Sequence, residues 1–225
     1  MGAPLRERAK FFFRRNVYNR MIGLRPRSDE PYCTHLPILC ALVTTIEVRR
    51  VVEYGSGLIS TPAFLDRSVF PRLESLLSFE SDPSWYASVA ESLGNDTRLQ
   101  LRLTEGPIKA AVRNRDIAGA DLIFVDDSDE LGRRADTVTA IAACKPLAVP
   151  VVIHDIEQWH LFRAARRFEH MFRFDVLHPQ TGVVWNGNWS QAELLPQINR
   201  LMKQHSGNVL GGDAKQWTLI FARST

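Results

Sequence analysis

Cysteine is scarce in this chain, with three in 225 residues: Cys33, Cys40 and Cys144. An odd number without a metal-ligand spacing excludes a disulfide framework and suits the reduced, mostly buried thiols of a cytoplasmic protein. The six histidines make no zinc spacing either, with each other or with the cysteines. No uninterrupted apolar run approaches the roughly 20 residues that span a bilayer. A secretory apolar core is missing, because Phe11-Phe12-Phe13 is flanked by Lys10 and Arg14. The start, Met1 to Arg6, lacks the Ser or Thr of a myristoylation signal. Internal repeats and low-complexity tracts are absent. What is present is 45% hydrophobic residues, enough for one α/β domain with a full core and a modest extension.

The net charge of +3 hides an asymmetry. Residues 1–27 carry eight basic side chains against Glu7, or +7, which leaves −4 for residues 28–225. A mildly acidic core argues against a broad nucleic-acid face there. The basic arm is open to several readings: a contact with an anionic membrane surface, a nucleic acid, or an acidic patch of a second subunit in a homodimer. The plain alternative is a solvated basic helix packed through Phe11, Phe12, Val17, Tyr18 and Met21.

Along the chain, residues 5–23 read as a helix that ends near Gly23 and Pro26. Thr34 is placed to cap a second helix, beginning at His35-Leu36-Pro37 and running to Ile46. Strands and helices then alternate. Strands are expected at Val51–Tyr54, Leu76–Glu80, Leu99–Leu103, Asp121–Asp126 and Val149–His154. Helices are expected at Thr61–Arg67, from Ser81-Asp82-Pro83 to Leu93, over 107–115, and at Arg133–Cys144. Such alternation predicts a parallel sheet covered on both faces. Further strands are expected at Arg173–His178, Thr181–Trp185 and Trp217–Ala222, with a helix near Gln191–Lys203. Two of those three strands would form an antiparallel edge.

Val51-Val52-Glu53-Tyr54-Gly55-Ser56-Gly57 is the most informative stretch. It reads as a buried strand entering a tight turn, where glycine allows positive φ and close approach. Glu80 ends the next apolar run, the position from which α/β folds hold a ribose. Two cofactors fit that spacing. A dinucleotide site prefers G-x-G-x-x-G, but Ser60 stands at the third glycine, and Glu53 would repel a pyrophosphate. S-adenosylmethionine (SAM) is cationic and carries no phosphate. With Glu53, Gly55, Gly57 and Glu80, the chain resembles the class I SAM-dependent methyltransferases, whose first motif is E/D-x-G-x-G.

The resemblance covers residues 34–185. It implies a Rossmann-like, doubly wound, mostly parallel sheet with an antiparallel C-terminal edge. The domains would be a basic helical extension, 1–33, and a methyltransferase-like domain, 34–225. It implies a SAM site at Glu53, Gly55, Ser56, Gly57, Glu80, Ser81, Glu105 and Asp126. The runs Ile123 to Asp127 and Val152 to Asp155, with Arg133 between, look most like the small-molecule O-methyltransferase-like branch. That branch implies a small-molecule acceptor, most simply a hydroxyl. Asp155 is then expected at the cleft, Asp126 orienting the acceptor, and His154 or His35 taking its proton. Metal-dependent relatives use an Asp-Asn pair after the fifth strand. Here Ile156 follows Asp155, so no metal is expected.

Plainer readings stand beside these. Glu53 would be a buried partner of Arg49 or Arg50, Asp126 and Asp127 turn acids that pair with Arg133 or Arg134, and His154 a core imidazole bonded to backbone. A nicotinamide-dependent oxidoreductase is the second enzyme reading, against which stands the lack of a Tyr-x-x-x-Lys signature. The third is a non-catalytic module of the same fold. Trp159, His160, Phe162 and Trp185 fit an acceptor pocket or a core equally well.

Overall fold

The computed structural model describes residues 34–189 except 129, 145, 146 and 176, together with 194 and 196–198. The basic arm, its helix and the strand expected at Trp217–Ala222 lie outside these residues. Of the helix near Gln191–Lys203, only four positions are described, and all four are helical.

The first described helix, α1 (Leu36–Val43), has Pro37 in its first turn and buries every residue from Leu36 to Leu42. A helix apolar all round belongs inside a core. It ends before the β-branched run that follows. Thr44 and Thr45 turn their hydroxyls back onto the carbonyls of Ala41 and Leu42 at 2.7 and 2.9 Å. Its N-cap is His35, and no side chain caps it. The Thr34 hydroxyl is used elsewhere.

Next come β1 (Arg50–Tyr54), α2 (Ser60–Leu65), β2 (Ser75–Glu80), α3 (Pro83–Leu93) and β3 (Leu99–Leu103). The start of α3 follows from local chemistry: Asp82 accepts from the amides of Ser84 and Trp85 at 2.8 and 2.9 Å, and Pro83 opens the helix. The short helix expected over 107–115 is two pieces, a 3-10 turn at Ile108–Ala111 and α4 (Asn114–Ile117). Then follow β4 (Leu122–Val125), α5 (Leu131–Ala143), β5 (Val151–His154), α6 (Trp159–Ala165), β6 (His170–Phe174) and β7 (Thr181–Trp185). Helix α6 is absent from the sequence-based expectations, although Leu161, Ala164 and Ala165 are buried at helical spacing. β6 lies earlier than the strand expected at Arg173–His178. Its pairing runs from His170↔Trp185 to Phe174↔Thr181, so Leu177 to Pro179 form the connection instead. Pro179 has no N–H to give a ladder.

The sheet order is β3-β2-β1-β4-β5-β7-β6. β1 to β5 are mutually parallel, and β7 is antiparallel to both β5 and β6. This is the Rossmann-like, doubly wound sheet with an antiparallel C-terminal edge that the resemblance implied. Side chains alternate between two cores. Val51, Leu122, Phe124, Val152 and Val183 join α1 and α2 on one side. Val52, Tyr54, Ile123, Val125, Ile153 and Val184 join residues of α5 and α6 on the other. Strands buried on both faces read as unbroken apolar runs, which is why β1, β4 and β5 stood out. Full burial of each large aliphatic side chain contributes about 1.5–3 kcal/mol. Among the described residues, no helix is long and apolar enough to cross a membrane.

Candidate active site at the carboxyl ends of the strands

The order of the sheet reverses between β1 and β4, which are neighbours. Ligands of open α/β sheets bind in the crevice outside such a point. The turn after β1 is tied down from three sides. Gly55 and Ser56 both donate their amides to the Phe79 carbonyl, at 2.9 and 3.1 Å. The Gly57 amide donates to Thr61 Oγ1 at 2.9 Å. Gly55 itself has φ +94° and lies against the main chain leaving β4.

Glu53 organises this turn from beneath. It is fully buried. Ser60 donates to its Oε1 at 2.6 Å, and Thr61 and Ser78 donate to its Oε2 at 2.8 and 2.6 Å. Burial pushes its carboxyl up to about 7, against the pull of those hydroxyls. Glu53 pairs with neither Arg49 nor Arg50; Arg49 instead meets the exposed Glu47 and Glu74. Three hydroxyls thus enclose Glu53, two from the helix after the turn and one from β2.

Glu80 stands at the exit of β2 and is almost buried. Its Oε1 accepts the amides of Ser81 and Asp82 at 2.6 and 2.9 Å. Its Oε2 has a single long contact, 3.4 Å from the Ser56 hydroxyl, and so keeps accepting capacity. Burial raises its pKa against these bonds. Trp85 reaches back from α3 and donates its indole N–H to the Ser56 carbonyl at 2.7 Å. Large apolar side chains stay exposed at this end: Leu58 at 45%, Trp85 at 42% and Leu103 at 46%. They leave from the same ends of three neighbouring strands, β1, β2 and β3. Glu105 is exposed in the loop after β3, and Ser81 is half-buried. A groove bordered by Arg50, Ser75, Gln100 and Asp116 lies toward the starts of β1 and β2, away from this end.

Beyond β4 and β5 a second group converges. Arg134, on α5, is 3% exposed. Its Nη1 lies 2.8 Å from Asp126 Oδ1 and 2.5 Å from Asp155 Oδ2. His154 holds Asp126 Oδ2 at 3.1 Å through Nδ1 and Thr34 Oγ1 at 2.8 Å through Nε2. The imidazole is thus bonded to side chains rather than backbone. Burial opposes charge on Asp126, but His154 and Arg134 outweigh it and hold the carboxyl well below its ordinary range. Burial likewise opposes charge on His154, and Asp126 with Asp155 outweighs it, raising the pKa. Asp155 turns the chain with φ +58°, a conformation non-glycine residues seldom adopt. His35 packs on Phe124 at 4.9 Å and edge-on to His154 at 5.1 Å, between ring centroids. Burial, and then the His154 charge, push its imidazole down to about 3.

All four expected catalytic residues therefore meet in one place. Arg134 pairs with Asp126, as one of the plainer readings of the sequence has it. Two other neighbours of the cluster carry no sequence signal of their place in it. Thr34 has the position of a helix cap. Glu157 belongs to no motif; it is buried, accepts the Gln180 amide at 2.9 Å and is pushed up to about 7 by burial and by Asp155. Asp127 is buried too; burial raises its carboxyl to about 6, and it accepts from Thr137 at 2.6 Å. Of the aromatic residues considered for an acceptor pocket, Trp185 belongs to the core, while Trp159 and Phe162 are half-buried and His160 is exposed.

No protein-family model matches this chain, and no curated protein sequence matches it. Solved structures are similar to it. One is the O-methyltransferase TomG from Streptomyces achromogenes, involved in tomaymycin synthesis and in complex with SAM. It is 17% identical, with a TM-score of 0.47, over 77% of this chain and 88% of that one. The N-methyltransferase NodS from Bradyrhizobium japonicum WM9, in complex with S-adenosyl-L-homocysteine (SAH), is 11% identical, with a TM-score of 0.48, over 71% and 90%. A methyltransferase from Geobacter sulfurreducens is 15% identical, with a TM-score of 0.46, over 78% and 88%.

Proposed function

We propose that this chain is a SAM-dependent methyltransferase acting on a hydroxyl of a small-molecule acceptor. The observation that carries the reading is Glu80. It is a nearly buried carboxylate at the exit of β2 with one oxygen fixed by two amides and the other left with accepting capacity beside the glycine turn. That is a fit for the two hydroxyls of a ribose. The exposed Leu58, Trp85 and Leu103 offer apolar surface for a flat base. α2 does not start at the glycine turn but at Ser60, and has only six residues, so a phosphate-binding helix start is lacking there. These features weigh against the nicotinamide reading.

When bound, SAM supplies an electrophilic sulfonium methyl group. Glu53 keeps the turn in shape through Ser60, Thr61 and Ser78. Gly55, Ser56 and Gly57 form the wall, with Ser81 and Glu105 at its rim. The acceptor hydroxyl is assigned to the Asp126–His154–Asp155 cluster. Thr34 holds one nitrogen of His154, and the other faces Asp126 at 3.1 Å; that pair is assigned to take the acceptor's proton. His35 stands behind it.

Titration calorimetry with SAH, SAM and NAD(H) tests the reading. SAH and SAM are expected to bind and NAD(H) not to. Glu80→Ala should weaken SAH binding by about 1.5–3 kcal/mol, the range for a hydrogen bond to a charged group. A folded Glu80→Ala protein with unchanged SAH affinity would overturn the assignment.

A further inference from the structure

His35, Asp126 and His154 each offer a ligand atom, and the three atoms all lie within 4.8 Å of one another. We propose that they bind a first-row divalent transition metal of the zinc type. This inference rests on the local geometry alone and is independent of the cofactor reading.

Four observations support it. First, His35 is 1% exposed, yet neither of its ring nitrogens has a hydrogen-bond partner among the described residues. An imidazole buried with both nitrogens unpaired forfeits the hydrogen bonds that normally accompany burial. A metal bond would use one of them. Second, His154 Nδ1 and Asp126 Oδ2 are 3.1 Å apart. Two ligands at about 2.0–2.1 Å from a tetrahedral ion stand roughly 3.3 Å apart, so an ion can replace the shared proton with little movement. Third, the outer partners exist. The other nitrogen of His154 meets Thr34 Oγ1 at 2.8 Å, and Asp126 Oδ1 is held by Arg134 at 2.8 Å. Such bonds orient metal ligands and fix the imidazole tautomer. Fourth, the donor set is selective. Two imidazoles and one carboxylate suit zinc, cobalt, iron or nickel, whereas magnesium prefers oxygen donors.

Three protein ligands leave a fourth position, as in catalytic rather than structural zinc sites. The Asp126 side chain, 23% exposed, is the member of the set that reaches solvent. An acceptor hydroxyl bound at the fourth position would lose its proton more readily. Metal and proton are thus two occupants of one gap between Asp126 and His154. A missing Asn after Asp155 does not bear on this set, because Asp155 is not a member of it.

The test uses the whole chain without an affinity tag. Calorimetric titration with ZnCl₂ is expected to show one saturable equivalent, and with MgCl₂ none at the same concentrations. Co²⁺ is expected to give the visible bands of a four-coordinate nitrogen–oxygen site, without thiolate charge-transfer bands. His35→Ala should lower Zn²⁺ affinity at least about tenfold, since loss of an outer hydrogen-bond partner alone costs 10–100-fold. Glu80→Ala, outside the triad, should bind Zn²⁺ like wild type, which separates this proposal from the cofactor reading. Absent stoichiometric binding, thiolate bands, or a His35→Ala protein with wild-type affinity would each overturn it. Should His35→Ala fail to fold, X-ray absorption on the wild-type Zn²⁺ complex decides. A coordination sphere containing two imidazoles supports the site, and any other overturns it.

Discussion

A Cβ on Gly55 would lie 2.3 Å from the carbonyl oxygen of Asp126, far inside contact distance. The first glycine of the turn therefore makes room for the chain leaving β4, and it does so whether or not a ligand is present. Gly55→Ala combines that overlap with φ +94° and is expected to destabilise the fold by roughly 2–4 kcal/mol. At Gly57 the nearest atom to an added Cβ is Ser60 Oγ, at 3.0 Å, with no positive φ. Gly57→Ala should cost under about 1 kcal/mol. Urea unfolding of the two variants measures this, and equal losses would contradict the geometry.

Glu53 gives the fold a definite pH signature. Its carboxyl titrates at about 7 when buried, against 4.5 ordinarily, so the folded state favours the protonated form. The stability it contributes is fully present below pH 4.5 and is lost as pH rises through about 7. The full difference is at most roughly 3 kcal/mol. Glu53→Gln removes that dependence. The stability of Glu53→Gln relative to wild type is therefore expected to be higher at about pH 8 than at about pH 5. Denaturation at both values checks it, and a constant gap would show that Glu53 does not titrate in this window.

Asp155 is the sharpest test of the chemistry assigned to the cluster. Its carboxylate meets Arg134 from a turn with φ +58°. Asp155→Asn is expected to reduce turnover by at least about 100-fold, the lower end for acid–base contributions, while SAH still binds. Single-turnover assays with an identified acceptor, run with and without added divalent metal, give the number. Near wild-type turnover in both would remove Asp155 from the mechanism.

The basic arm is expected to be dispensable for the cofactor. The motif-bearing strands start only at Arg50. Deleting residues 1–27 should leave SAH affinity within about tenfold, or 1.4 kcal/mol. Contacts with a membrane surface, a second subunit or the acceptor are where its loss should register. A folded truncation unable to bind SAH would show that the arm completes the site.

Much of the fold was legible because both faces of its central strands are buried. Val51-Val52, Leu122 to Val125 and Val151 to Ile153 read as apolar runs. The turn chemistry at Asp82-Pro83 and Gly94 marked α3 to the residue. The convergence of Asp126, His154 and Asp155 followed from polar residues gathered at strand exits, and that of His35 from its place at a helix start. Other features depended on distant partners that no local pattern reports. Thr34 has the right chemistry for a helix cap, but its hydroxyl meets an imidazole 120 residues away. Glu53 sits where a ligand contact is expected, yet three hydroxyls enclose it, two of them just past the turn and one on β2. The strand order at the C-terminal edge is a tertiary outcome, because the apolar runs of β6 and β7 do not say which of them pairs with β5.

The position of β7 also determines where this sheet can grow. By lying between β5 and β6, it occupies the free side of the strand that carries His154. Among the described residues, the unpaired backbone edges are then β3 and β6; β3 lies three strands from β4, whereas β6 ends level with His154 through Thr181, two strands from β5. β3 carries Gln100 and Arg102 outward, and a charged edge resists strand-to-strand addition. β6 presents His170 and Arg173 along the other edge. Sheet extension along β3 would leave the exits of β4 and β5 open, so a protein tethered or fused along that edge should leave their chemistry accessible.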